Sequence, residues 1–508
     1  MSELVAQAPE ISIAKSGVPR GLISITVMLT TIMVILDMTI VNVALPDMMG
    51  ALGANSDQIT WVLTSYIVIE AIMIPLTGFW VKMFGRKRLM LISISGFLVA
   101  SALCGQADSL IEMVIFRLIQ GFFGASVVPL SQSIMIDTFP KEERGKAMAL
   151  WGVGIMLAPV LGPTLGGYIT DHLDWRWVFY INLPVGALNL MMAWALLNYE
   201  PGQKVKADWL GAGLLALGIG CLQFMLDRGN DDNWFDSMTI QSLALISIVG
   251  IIAFVWRSWN RPDSVVNLTL LKDRNLATAS FMMFIFGFGL FGTIALQPLM
   301  LENLFNYDAQ TAGLVMAPRG IASAIGMFAI SRFINRVDLR WIIATGLCFA
   351  ATGTYLFSIQ NLNSAEINFV IPAIVQGFGM GMIFVPLSTL AYETLDKSQT
   401  SQAAGIYNVA RTIGSSVGIS VAITILNHSN HQSQVGLGSQ IQINNPEVIN
   451  WLATQNLTVN TPNAIIALTN EVNRQAMMVA FNDTFWTVML SFIVLAPLLF
   501  LIKKRNHK

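Results

Sequence analysis

Apolar residues in this chain come in long runs separated by short polar connections. They show neither the alternation of a half-buried strand nor the single stripe of a surface helix. Windows of about 19 apolar residues, enough to cross a bilayer core as a helix, fall near 22–46, 60–81, 89–106, 110–134, 146–170, 176–198, 208–226, 238–256, 276–300, 310–331, 341–360, 367–391, 403–426 and 484–502. These fourteen candidate spans predict an all-α polytopic membrane protein. The first run is too long for a signal-peptide core and lacks a clear cleavage site after it, so it is read as a retained span.

Composition agrees with this pattern. The 508 residues are 54% hydrophobic and only 12% charged, against roughly 25% charged in soluble chains. A net charge of −1 offers no basic surface for nucleic acid. Cys104, Cys221 and Cys348 lie far apart in apolar segments and read as packing residues. His172, His428, His431 and His507 fall mostly in polar segments. No metal site and no cofactor is expected.

Lys and Arg set the expected orientation. One set of connections carries Lys82, Arg86, Lys87, Arg88, Lys141, Arg144, Lys146, Lys204, Lys206, Arg257, Arg261, Lys272, Arg274, Arg332, Arg336, Arg340 and Lys397. The two ends add Lys15, Arg20, Lys503, Lys504, Arg505 and Lys508, making 23 basic residues in all. The alternate connections hold only Arg176, Arg228 and Arg474, with many aspartates. Both termini are therefore expected in the cytoplasm. One outer connection, 427–483, is long and rich in Asn and Gln. It is expected to be a solvated, partly disordered insertion or, in the alternative, a docking surface for a partner or a cap over the exit, with a short amphipathic helix over 464–480.

An internal repeat organises the spans. Gln120-Gly121-Phe122-Phe123-Gly124 leads to Pro129-Leu130-Ser131, and Gln376-Gly377-Phe378-Gly379-Met380-Gly381 leads to Pro386-Leu387-Ser388. Both copies occupy the fourth span of a six-span unit if two spans are inserted between the halves. The expected plan is 6+2+6: a tail over 1–20, a six-helix bundle over 21–200, two additional spans over 201–260, and a second bundle over 261–508 bearing the 427–483 loop. Transporters place substrate between such repeats and rock one against the other.

Charged residues inside apolar spans are the candidate machinery, because each costs roughly 2.5–3.5 kcal/mol to insert and persists only where something recovers that cost. Asp37 lies in the first span and Arg117 in the fourth. A guanidinium keeps its charge, so Asp37 is the natural partner; a fixed ion pair stapling two helices is the plainer alternative. Glu70 is mid-span with no basic residue within a helical turn, a second candidate for carrying a proton. Arg319 and Arg411 in the second half are read either as gating residues or as snorkelling to phosphate or carbonyls. Asn42, Tyr66, Gln120 and Gln376 are candidate cavity or gating residues. Gly154, Ala158, Gly162 and Gly166 step along one face of the fifth span beside Pro159, Pro163 and Gly167, a small-residue stripe that admits close helix approach with prolines that permit bending.

These motifs resemble the major facilitator superfamily, and within it the 14-span drug:proton antiporters of the EmrB/QacA type. The run Leu36 to Pro46 is similar to that family's first-helix signature. Gly78-Phe79-Trp80-Val81-Lys82-Met83-Phe84-Gly85-Arg86-Lys87 resembles its loop motif after the second helix, with Lys82 where aspartate is usual. Arg117 to Gly124 resembles its proton-coupling motif, and Ala158 to Gly167 its antiporter motif. Trp175 to Pro184 and Leu222 to Gly229 extend the likeness. The resemblance implies proton-driven export of amphipathic drugs or other small molecules, with Asp37, Arg117 and Glu70 in proton coupling. In the EmrB branch, which the long outer loop resembles, it also implies a Gram-negative inner membrane, a periplasmic adaptor and an outer-membrane channel. A dedicated exporter of one metabolite, siderophore or lipid, and a membrane sensor or scaffold, are the rival readings. No nucleophile–base constellation suggests an enzyme, and no GxxxxGK[ST] loop suggests ATP hydrolysis.

Overall fold

A bilayer leaves no water to satisfy backbone groups, so a chain of apolar runs resolves into helices that satisfy them internally. The computed structural model describes residues 19–204, 208–259, 261, 264–334, 336–442, 445–458 and 462–502. Fourteen of its helices are long and apolar enough to cross a membrane: α1 Arg20–Ala51, α2 Asp57–Phe84, α3 Arg86–Gly105, α4 Leu110–Thr138, α5 Lys141–His172, α6 Trp177–Leu196, α7 Trp209–Arg228, α8 Met238–Ser258, α9 Arg274–Phe305, α10 Gln310–Phe333, α11 Leu339–Ser358, α12 Ile367–Leu390, α13 Thr400–Gln440 and α14 Asn463–Leu501. The expected spans match these in order. The tail through residue 18 with Lys15, Lys206, and the final cluster Lys503, Lys504, Arg505, His507 and Lys508 lie outside the described residues.

Within the first six helices α1 packs on α5 and α6, α4 on α2 and α3, and α3 on α6. Within the last six, α9 packs on α13 and α14, and α12 on α10 and α11. Helix α7 lies against α2, and α8 against α7, so this pair forms a peripheral hairpin. The two groups of six meet where α5 packs on α10 and α12, and where α13 packs on α2 and α4.

The described part of the 427–483 connection is mostly helical, where a partly disordered insertion was expected. Helix α13 continues to Gln440, a short helix spans Pro446–Thr454, and the last long helix starts at Pro462. At 1.5 Å per residue a helix of 41 residues is about 60 Å long, roughly twice the bilayer core. Ser429 Oγ donates to Asp483 Oδ2 at 2.5 Å, tying the two extensions together. The Asn- and Gln-rich composition marks a wetted helical hairpin; the amphipathic stretch 464–480 is the first part of α14.

Candidate functional site

The glycines of the α4 motif create the site by removing bulk. A methyl group on Gly121 would fall 2.8 Å from the Tyr66 carbonyl oxygen, and one on Gly124 would fall 2.8 Å from the Tyr66 hydroxyl. Helix α4 therefore closes on α2, and the Arg117 guanidinium lies 4.3 Å from the centre of the Tyr66 ring. Its Nη1 donates to Asp37 Oδ2 at 2.7 Å and to Gln120 Oε1 at 2.7 Å, and its Nε donates to the Val62 carbonyl at 3.1 Å. The other Asp37 oxygen, Oδ1, accepts from Gln120 Nε2 at 3.0 Å and from Asn182 Nδ2 at 2.7 Å. Asp37 and Arg117 are each 1% exposed.

Sequence reasoning predicted the Asp37–Arg117 pair and placed Gln120 on the same helical face. It missed Asn182 and Ser101, whose Oγ accepts from Asn182 at 3.0 Å. Asn182 had a legible signal: an amide in an apolar span needs a partner, and it lies within a matched motif. A charge pair alone in low dielectric would scarcely offset its desolvation. The amide donors complete the carboxylate's shell, and helices α1, α4 and α6 converge on one group.

Glu70 is also buried, on α2, facing the boundary between the two groups of helices. As its helix suggests, Glu70 forms no ion pair among the described residues.

Other candidates lie outside the Asp37 network. Asn42 is exposed and outside the Asp37 network. Gln376 is a clasp inside the second six helices, donating to Thr293 Oγ1 at 3.2 Å and Thr354 Oγ1 at 2.8 Å. Arg319 does not snorkel; it is buried and donates to Gln297 of α9. In the α5 stripe, a methyl group on Gly162 would overlap Thr39 of α1, and one on Gly166 would lie 3.2 Å from the Ile40 carbonyl oxygen. Gly154 faces Ile32, whereas Gly167 has nothing within 4 Å and takes no part in that contact. Pro159 lines a cleft and Pro163 lies inside the helix.

The loop motif ties the basic end. Gly85 has φ +78°, a left-handed conformation that favours glycine. Arg86 pairs with Asp137 at the end of α4 and with Glu200 Oε2 at 2.9 Å. Lys87 Nζ donates to the Trp194 and Leu197 carbonyls at 2.7 Å each, closing the α6 C-terminus. A methyl on Gly78 would fall 2.6 Å from Gln402 Cγ of α13. Around it, Gln132 Oε1 accepts from Asn408 Nδ2 at 2.6 Å, and Arg144 Nη1 donates to the Tyr392 carbonyl at 2.9 Å. Asp137 and Glu200 thus supply the countercharge to Arg86 in a loop that has Lys82 in place of the usual aspartate.

A narrow cleft of about 30 Å³ lies beside this closure, lined from α5, α9, α10, α12 and α13. Its walls are methionine, phenylalanine and aliphatic side chains, and Arg319 and Arg411 both line it.

The Major Facilitator Superfamily family model matches residues 27–419. The multidrug export protein EmrB of Haemophilus influenzae is 34% identical over 486 residues, covering 95% of each chain. The fatty acid resistance protein FarB of Neisseria gonorrhoeae is 34% identical over 502 residues, covering 97% of each. Among solved structures, the proton:xylose symporter XylE superposes with TM-score 0.63 at 14% identity, covering 96% of each chain, a likeness of fold.

Proposed function

This chain belongs to the major facilitator superfamily, and from that premise we propose that it exports amphipathic small molecules across the inner membrane in exchange for protons. The EmrB relatives are named as multidrug exporters, which favours a broad substrate range. FarB, equally similar and named for fatty acid resistance, favours the narrower alternative of a dedicated lipid exporter. The orientation with both termini in the cytoplasm rests on the Lys and Arg asymmetry. A periplasmic adaptor and an outer-membrane channel complete the scheme, with the wetted α13–α14 hairpin as the surface offered to the adaptor.

The observation that carries this reading is the built carboxylate site. Donors from α4 and α6 converge on Asp37. A proton added there removes the charge that Arg117, Gln120 and Asn182 all address, and so loosens α1 from α4 and α6. Helix α1 packs against the glycine stripe of α5, and α5 packs across the boundary on α10. Protonation of Asp37 is thereby linked to rocking of the two six-helix bundles. Glu70, buried on α2, is the second titratable group in the cycle. One proton descending 100 mV and one pH unit releases about 3.7 kcal/mol, enough to hold a gradient of several hundredfold for a neutral solute.

The test is transport in proteoliposomes under an imposed acid gradient. Wild type is expected to drive solute uphill with counterflow of protons, and Asp37→Asn to lose uphill transport while still inserting and binding solute. Undiminished uphill transport by Asp37→Asn would remove the basis of the proposal.

A further inference from the structure

Helix α7 is seated on one group of six helices and clasped by the other. Its seat on α2 is largely apolar. Leu215 and Ile219 share a buried cluster with Ala71 and Leu76, and the rings of Phe224 and Trp61 lie 5.2 Å apart. Thr64 of α2 adds a hydrogen bond to Asp227. At the end remote from the basic closure, α7 and the turn after it reach α13. Ser420 Oγ donates to the Leu226 carbonyl at 2.7 Å, and Asn230 Nδ2 donates to the Ser420 carbonyl at 3.3 Å. Thr424 Oγ1 donates to Asn230 Oδ1 at 2.9 Å and accepts from Trp234 Nε1 at 3.1 Å. These bonds cross the boundary between the two groups at the end opposite Gln132 and Asn408.

The turn that supplies Trp234 is held in an unfavourable shape. Asn233 and Trp234 have φ of 54° and 52°. Asparagine tolerates that region, but a bulky residue there is an outlier that persists only where its surroundings impose it. The Trp234 amide donates to the Gly229 carbonyl at 2.7 Å, its ring folds over Gly229, and its indole N–H reaches Thr424.

Rocking of two bundles opens one end of their seam as it narrows the other. Helices α2 and α13 meet directly at the basic end, where a methyl group on Gly405 would lie 3.4 Å from the Pro75 carbonyl oxygen. Opening there drives their remote halves together, so α7 cannot keep both its seat on α2 and its clasp on α13. An apolar helix face slides in small steps, whereas hydrogen bonds fail within a few tenths of an ångström. The clasp is the part that yields.

We propose that the turn after α7 is a latch, held by Ser420 and Thr424 while the basic closure is shut and released as that closure opens. It thereby sets the balance between the two arrangements. Its part in export rests on the transport reading above; its effect on the closure does not.

Thiol labelling without solute or gradient tests it. Ser133→Cys, buried in the basic closure, is introduced with Cys104, Cys221 and Cys348 replaced by alanine. This parent, in nanodiscs, is treated with a membrane-impermeant maleimide. Thr424→Val keeps the shape of the side chain and removes the hydroxyl. It should speed labelling by about three- to tenfold, the worth of one hydrogen bond. Thr424→Ser, which keeps the hydroxyl, should label at the parent rate. Trp234→Phe loses the indole N–H, should also speed labelling, and decides the matter by the same criterion if Thr424→Val does not fold. Equal or slower labelling in folded Thr424→Val, or equal acceleration by Thr424→Ser, would overturn the latch. Faster labelling by Thr424→Val, in a protein whose parent moves no solute against a proton gradient, would uphold the latch and sink the transport reading alone.

Discussion

Ser133 Oγ of α4 and Ser401 Oγ of α13 lie 2.7 Å apart, joining the two groups of helices at the basic end of the molecule. The neighbouring contacts of Gln132 with Asn408 and of Arg144 with the Tyr392 carbonyl make this a multi-point closure. Alternating access requires that closure to open once per cycle. Cysteines at both serines place their sulfurs within reach of a disulfide. Ser133→Cys with Ser401→Cys should stop export on oxidation and recover on reduction, with either single variant indifferent to oxidant. Export that continues with the bond formed, verified by gel mobility, would show that this contact does not open.

Arg117 makes contacts no lysine can make together: Nε to Val62, Nη1 to Asp37 and Gln120, and its plane over Tyr66. An ammonium is a point charge without the fork. Arg117→Lys should retain expression and the countercharge to Asp37, yet lower proton-driven export by about tenfold or more, since each charge-assisted hydrogen bond is worth roughly 1.5–3 kcal/mol. Initial rates of substrate-linked proton movement in vesicles measure this. A rate within twofold of wild type would reduce Arg117 to a counter-ion.

The resemblance between Gly162 and Gly167 ends at the helix surface. A Cβ on Gly162 would overlap Thr39, whereas a Cβ on Gly167 would meet nothing within 4 Å. Gly162→Ala should therefore force α1 off α5 and cost about 1–3 kcal/mol by overpacking, with loss of export. Gly167→Ala should change stability by no more than about 0.5 kcal/mol and, as a better helix former, favour it. Thermal unfolding of the two purified variants compares them directly; similar melting would contradict the packing.

Much of this architecture was legible in the sequence. Fourteen apolar runs became fourteen helices because a bilayer-length apolar segment has few other ways to satisfy its backbone. The Asp37–Arg117 pair was legible because two opposite charges in lipid have few other partners. What escaped were relations between remote helices that no spacing encodes: Asn182 reaching Asp37 from α6, and Gln376 turned into a clasp by Thr293 and Thr354. The 427–483 segment was misjudged for a different reason. Polar composition signals contact with water, and a helix that leaves the membrane is wet without being irregular.

Asp208 joins the additional hairpin end to end. It caps α7 by accepting from the Gly211 amide at 3.1 Å and pairs with Arg257 Nη2 of α8 at 2.9 Å. Hydrogen bonding from Arg257 holds the Asp208 carboxyl below its ordinary value of 3.8. A carboxyl with a depressed value contributes stability that is complete above the ordinary value and is lost as pH falls through the lowered one. Asn still caps a helix, so Asp208→Asn isolates the charge. Its deficit should be at most about 1 kcal/mol, because the pair is partly solvated. The gap to wild type in thermal melting should be constant from neutral pH to about 4 and shrink below. A gap that widens on acidification would have the wrong sign.

Exposed residues of the α13–α14 extension allow the proposed adaptor to be tested apart from transport itself. Ile449 and Ile466 are 44% and 60% exposed on the short helix and at the start of α14, outside the apolar windows that cross the membrane. Aspartate at either position burdens no core, and surface changes of this kind usually shift stability by less than about 0.5 kcal/mol. If a periplasmic adaptor docks on this hairpin, Ile449→Asp with Ile466→Asp should leave proton-linked transport in vesicles unchanged. The same pair should sensitise cells, because solute released without the adaptor stays in the periplasm and re-enters. Parallel loss in vesicles and cells would place these residues in the pump's own cycle. Full resistance in cells would leave the hairpin without a partner to hold.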